Sequence, residues 1–348
     1  MKRLCRGLFL AAGLIAATVA SAQPSSEPSL PLSELQTQER ARAVQQPYNN
    51  APVWREARGA VEGYASIPAP EAGVLIQTGG QNWRALRNGT VATYGGWALV
   101  GMLALVGIFY WRRGTIQMHE APTGRHLERF SLVERISHWA SAISFCILAV
   151  SGLVLGFGKA LLIPILGHTV FSWLAILAKN LHNFVGPVFA VCTVFMFITF
   201  VRENLPKAID LKWIVSAGGL FNDKHVPSEK FNAGEKLWFW GGVMLLGIVV
   251  SASGLVLNFP NFGQTRALMQ LANIVHLTGA ILFMLGAMGH IYMGTLGVAG
   301  AYDAMKSGHV DETWAKEHHE IWYQQQLKAA KGPTVSNKQQ PVPAGGDD

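Results

Sequence analysis

The chain has 348 residues, of which 50% are hydrophobic and 14% charged, with a formal net charge of +7. Soluble domains carry about 25% charged residues, so much of this chain belongs in lipid; its basic residues are scattered between apolar runs and form no stripe, which argues against nucleic acid as a partner. The three cysteines, Cys5, Cys146 and Cys192, form no CxxC pair, so no iron–sulfur cluster or zinc site is signalled.

In chain order, MKRLCRGLFLAAGLIAATVASAQ opens with Lys2, Arg3 and Arg6, continues as a short apolar core and reaches small residues at Ala20 and Ala22. That pattern predicts a secretory signal peptide over residues 1–22. Residues 23–90 are rich in Pro, Gln, Ser, Glu and Ala and lack helical or strand period over most of their length. They read as a mostly irregular, extended periplasmic segment.

Five apolar runs follow, at about 91–111, 136–157, 180–201, 237–258 and 271–297. About 20 residues of helix cross a hydrocarbon core, so each is long enough. The first ends at Trp111, Arg112 and Arg113, and a span over 91–113 with its end at the cytoplasmic face is expected. Basic residues then collect in 112–135, in 202–236 and after 300, whereas the opposite connections hold little beyond Lys159, Lys179 and Arg266. This asymmetry puts the C-terminal tail, 301–348, in the cytoplasm and agrees with the orientation a signal peptide imposes. Residues 160–178 are apolar too, and are expected to lie as a helix along the periplasmic interface.

The last four spans carry a weak internal repeat. SGLVLGF (151–157) matches SGLVLNF (253–259), ERISHW (134–139) matches EKLWFW (235–240), and LHNFVG (181–186) matches IVHLTG (274–279). Two copies of a helical hairpin, packed as a four-helix bundle within 114–300, are therefore expected. The fold class is an all-α integral membrane protein: a four-helix transmembrane bundle plus one additional N-terminal transmembrane helix.

Haem enters through the histidines. Four of the eleven lie in the spans: His138, His182, His276 and His290. An ionisable residue within a span is a candidate functional group. His138 and His290 fall toward the cytoplasmic side and His182 and His276 toward the periplasmic side, so they sort into two pairs by depth. His276 and His290 are fourteen residues apart, which in a helix is about 21 Å of rise and about 40° short of four full turns. They share a face. Paired imidazoles at each level suit six-coordinate haem iron, a centre for electron transfer. Zinc fits poorly, with two ligands per level and no Cys, Asp or Glu beside them. Gly152 lies fourteen residues after His138 and is expected on the same face at the other level; Gly186, Gly279, Gly286 and Gly289 lie near the other ligands. A porphyrin needs such small residues, which supports the haem reading, although close helix packing uses them too.

At the cytoplasmic end, FNAGEK (231–236) leads into the fourth span. Asn232 is a candidate helix cap, and with the backbone near Gly234 it is also a candidate for a quinone carbonyl. Arg135, one turn before His138, is placed to meet a haem propionate or to mark the membrane edge.

ERISHWASAISF, LHNFVG with FMFITFVRENLP, KFNAGEKLWFW, VHLTGA with GHIYMGTLG, and the tail DETWAKEHHEIWY resemble, in collinear order over about 125–325, the gamma subunit of respiratory formate dehydrogenase, a membrane di-haem cytochrome b. The resemblance implies two haems b, with His182 and His276 as axial ligands of the periplasmic one and His138 and His290 of the cytoplasmic one. It implies menaquinone or ubiquinone as electron acceptor at Asn232 and Gly234. The implied partners are an iron–sulfur beta subunit and a molybdenum- or tungsten-pterin alpha subunit, in a bacterial inner membrane. This chain would then be the electron-transfer subunit and would not itself oxidise formate. A cytochrome b subunit of a membrane-bound hydrogenase or another molybdoenzyme is the alternative, since it uses the same haem arrangement.

Overall fold

The computed structural model describes residues 78–330 except 217 and 219–225, together with positions 34, 37, 40, 41, 44 and 45. The expected signal peptide (1–22), almost all of the segment up to residue 77 and the chain beyond Ala330 lie outside the described residues. Among the described residues, five helices are long and apolar enough to cross a membrane: α1 (Gly79–Arg113), α2 (Leu132–Leu161), α3 (Ile163–Phe200), α5 (Ala233–Asn258) and α6 (Arg266–Gly297). Between and after them come β1 (His126–Glu128), α4 (Ala208–Val215), α7 (Ala301–Ser307), β2 (His309–Asp311), α8 (Glu312–His318) and α9 (Glu320–Ala330).

The helices are apolar on the outside, with Trp97, Ile143, Val191 and Ile248 exposed there. Inside they bury small polar groups, among them Ser141, Ser144 and Thr193. That inversion suits a solvent as apolar as leucine, where close approach and interhelical hydrogen bonds hold helices together. Ser141 Oγ crosses from α2 to the Cys192 carbonyl of α3 at 3.3 Å.

α2 and α3 form one antiparallel hairpin, and α5 and α6 form the second. The first hairpin reverses at Gly167, whose φ of 72° is open to glycine without strain. Residues 168–200 then run on as helix. The stretch expected as a separate interfacial helix over 160–178 is therefore the tip of the hairpin, and its second half continues into the third span. The physical reason is that Gly167 is the break; nothing at Lys179 and Asn180 interrupts helical geometry.

α1 packs beside α6 and runs parallel to it. Arg87 Nε donates to Asn273 Oδ1 at 2.9 Å near one end. Phe109 and Tyr110 meet Tyr292 edge-on at 6.1 and 6.3 Å near the other. The helix starts at Gly79, about a turn and a half of π-helix over Leu86–Val91 included, so it extends by about three turns ahead of the apolar run that begins at residue 91.

The chain beyond the expected boundary at residue 300 packs against the bundle. Residues 301–330 fold back onto the bundle end that carries His138 and His290. β2 pairs antiparallel with β1, His126 opposite Asp311. Gly308 accepts the amides of Arg129 and Phe130 at 2.8 and 3.0 Å, and with φ 90° and the Phe130 carbonyl 2.6 Å from any Cβ it must be glycine. Phe130, Phe200, Phe239, Val310, Trp314 and Trp322 share one buried core, so helix ends and tail form a single cap. Residues 301–330 are thus a structural part of the cytochrome domain.

Candidate functional site: two pairs of histidines

His138 at the start of α2 faces His290 near the end of α6, with ring centroids 6.2 Å apart. His182 in α3 faces His276 in α6 at 5.9 Å. A metal held by imidazole nitrogens at about 2.0–2.1 Å each separates the two ring centres by about 6 Å. Both pairs therefore have the spacing a bis-imidazole iron requires. His276 and His290, fourteen residues apart on one helix, each meet a histidine from a different helix.

The histidines are held from behind. His276 Nδ1 lies 2.9 Å from the Val250 carbonyl. A carbonyl only accepts, so Nδ1 carries the proton and Nε2 presents its lone pair. Ser253 Oγ lies 3.3 Å from the same Nδ1 and donates to the Val249 carbonyl at 2.6 Å. His182 Nδ1 lies 2.9 Å from Ser151 Oγ, which donates to the Ile147 carbonyl at 2.7 Å. With the hydroxyl proton so directed, Oγ accepts from Nδ1–H. Gly152 and Gly254 leave room for the rings: a Cβ would stand 3.3 Å from His182 Cε1 and 3.0 Å from His276 Cε1 respectively.

These partners follow the repeat. Ser151 and Gly152 in SGLVLGF serve His182; Ser253 and Gly254 in SGLVLNF serve His276. Gly152 was expected at this level, whereas Ser151, Ser253 and Gly254 were not singled out, though the duplicated SG dipeptide was the signal. The other expected small residues differ in what they meet. Gly279 abuts Val249 and Val250, Gly286 admits the Trp238 ring, Gly289 meets Met102, and Gly186 is open.

At the other level Trp238 stacks on His290, centroids 5.4 Å apart and planes 18° apart. Trp238 stands at the start of π-helical turns over Trp238–Leu246 in α5; such turns recur at functional sites. His138 Nδ1 is buried with no hydrogen-bond partner among the described residues. Helix packing alone seldom leaves such an atom.

The remaining candidates lie at the cap. Asn232 Oδ1 accepts from Glu235 N at 3.0 Å and Glu235 Oε2 accepts from Asn232 N at 2.8 Å, a capping box that starts α5. Trp213 lies over Gly234, 2.7 Å from where a Cβ would be. Arg135 donates to the carbonyls of Met305, Lys306 and Ser307 at 3.3, 2.6 and 3.1 Å. It satisfies the C-terminal carbonyls of α7, a third role beside the two expected. Glu235 also accepts from buried Arg129 at 2.9 Å. Lys236, counted among the loop charges, is buried against Asp210 at 2.9 Å and Glu229 at 3.4 Å.

Apolar spans enclosing paired imidazoles at two depths define a membrane cytochrome b. The sequence model of the prokaryotic cytochrome b561 family matches residues 129–308, and the chain belongs to that family. It is a multi-pass membrane protein that binds haem b and acts as an electron-transfer subunit. It is 32% identical over 212 residues to the formate dehydrogenase cytochrome b556(fdo) subunit of Escherichia coli K12, covering 58% of this chain and 94% of that relative. The nitrate-inducible formate dehydrogenase cytochrome b556(Fdn) subunit of the same organism is 29% identical over 212 residues, with 58% and 92% covered. The formate dehydrogenase cytochrome b556 subunit of Haemophilus influenzae is 26% identical over 211 residues, with 59% and 85% covered.

Proposed function

We propose that the chain carries electrons across the inner membrane of a bacterium as the cytochrome b subunit of a formate dehydrogenase, delivering them to quinone. The observation that supports this most directly is the pair of histidine pairs at 6.2 and 5.9 Å, one toward each end of the bundle. Each pair would hold one haem b, which supplies one-electron transfer at a six-coordinate iron. His182 and His276 would serve the periplasmic side, and His138 and His290 the cytoplasmic side, an orientation supported by the basic loops. Val250, Ser151 and Ser253 fix the ring orientation of their histidines, and the apolar spans exclude water.

Menaquinone or ubiquinone would bind at Asn232 and Gly234. Trp238, one turn beyond that segment, stacks on His290, so the two sites adjoin. The periplasmic iron–sulfur subunit and the molybdenum- or tungsten-pterin subunit are inferred as the electron source. The names of the relatives favour formate over hydrogen as the reductant of the complex.

The test is a reduced-minus-oxidised spectrum with haem quantification on the purified chain. Two haems b per chain are expected, and one in His182→Ala or His290→Ala. Absence of b-type bands in the native chain refutes the reading. Formate-driven quinone reduction by the purified complex, abolished in His182→Ala while dye-linked formate oxidation persists, tests the assignment of substrate and direction.

A further inference from the structure

The two levels differ in what stands behind their histidines. At the His182/His276 level both Nδ1 atoms face oxygen: Ser151 Oγ at 2.9 Å, and Val250 O at 2.9 Å with Ser253 Oγ at 3.3 Å. Both serine hydroxyls turn their own protons to backbone carbonyls one helical turn back. Each chain of bonds therefore runs Nδ1–H to Oγ–H to C=O, and each hydroxyl oxygen is polarised to accept. At the other level the buried Nδ1 of His138 has no such acceptor among the described residues, and the face of Trp238 lies on His290.

An acceptor behind a ligating imidazole draws its N–H proton and raises the electron density at Nε2. A more basic ligand favours the ferric state and lowers the reduction potential. We infer that Ser151 and Ser253 are positioning residues that make the His182/His276 centre the lower in potential of the two, so that the two hairpin copies set a downhill direction toward His138/His290. The duplicated SG dipeptide is the sequence mark of that device: the serine tunes the imidazole and the glycine clears its ring. Each histidine also has a backbone carbonyl beside its serine, Leu148 for His182 and Val250 for His276, so the two serines act in the same sense and neither is the sole acceptor. The inference rests on the haem reading above.

The experiment is an optical redox titration of the full chain in detergent. His182→Ala first identifies which b-type component belongs to that level, and the lost component must be the lower-potential one. In Ser151→Ala that component is expected to move to higher potential by roughly a tenfold change in the ferric–ferrous equilibrium, about 59 mV for one electron. The other component stays in place, and Ser253→Ala shifts the same component with the same sign. Ser151→Thr keeps the hydroxyl and should restore the native potential. Should Ser151→Ala lose its b-type band, the threonine variant carries the test: a native band at native potential sustains the inference, and a second loss overturns it. An unmoved component in Ser151→Ala, an equal movement of both components, or a higher native potential at His182/His276 also overturns it. Failure of the haem reading looks different, since the native chain then has no b-type band to titrate.

Discussion

Arg129 and Glu235 form a 2.9 Å ion pair inside the cap, and the Arg129 guanidinium also lies 4.9 Å above Trp314 and 4.8 Å above Phe130. Arg129 is only 5% exposed. Its Nη2 also donates to the Lys230 carbonyl at 2.8 Å. One residue thus ties the strand before α2, the loop before α5 and the tail helix α8 together. Removing it strands a carboxylate and empties an aromatic slot.

Arg129→Ala is accordingly expected to destabilise the folded chain by about 3 kcal/mol. Thermal unfolding of the purified protein in detergent checks this. Pairing it with Glu235→Gln should return part of the loss, because the uncompensated charge is then gone. A melting temperature equal to the native one would rule out the structural role given to Arg129.

Single ligand replacements should act level by level. His276→Ala and His138→Ala are each expected to leave one haem b per chain, with residual spectra that are complementary. Loss of both from either change would mean that the two pairs are one cooperative unit instead of two independent holders. Haem extraction and quantification distinguish these outcomes.

The glycines beneath the rings make a graded prediction. Gly254→Ala puts a methyl 3.0 Å from His276 Cε1, and Gly152→Ala one 3.3 Å from His182 Cε1. Both rings are tied from behind, and the approach at Gly254 is the closer of the two. Gly254→Ala should therefore lower haem retention at this level more than Gly152→Ala does, while the other level keeps its full absorbance. Equal retention in both variants would contradict the packing.

Acid should open the cap. Burial, reinforced by the Arg129 cation, pushes the His319 pKa down to about 3, while an unfolded histidine titrates near 6.5. Burial lowers His318 as well. Between these limits the unfolded state binds a proton that the folded state does not, so stability rises with pH through the window. The contribution is complete above about pH 6.5 and is lost as pH falls toward 3. Unfolding midpoints measured from pH 7.5 down to 4 should fall accordingly, and His319→Gln should flatten the slope. An unchanged slope in that variant would place the acid sensitivity elsewhere.

The sequence alone determined the number of spans, the pairing of hairpins and the shared face of His276 and His290. Apolar run length and helical period are local quantities, and fourteen residues on one helix fix an angle without reference to any neighbour. Only tertiary structure decided what stands behind each imidazole. Ser151 is 31 residues from His182 and Ser253 is 23 from His276, and period says nothing about which side chains meet across a helix pair. The same holds for Arg135, which turned to the carbonyls of α7, and for residues 301–330, whose charged, weakly periodic sequence conceals the buried Trp314 and His319. Contacts between distant segments depend on where two helix ends converge, and that is settled by packing the whole bundle.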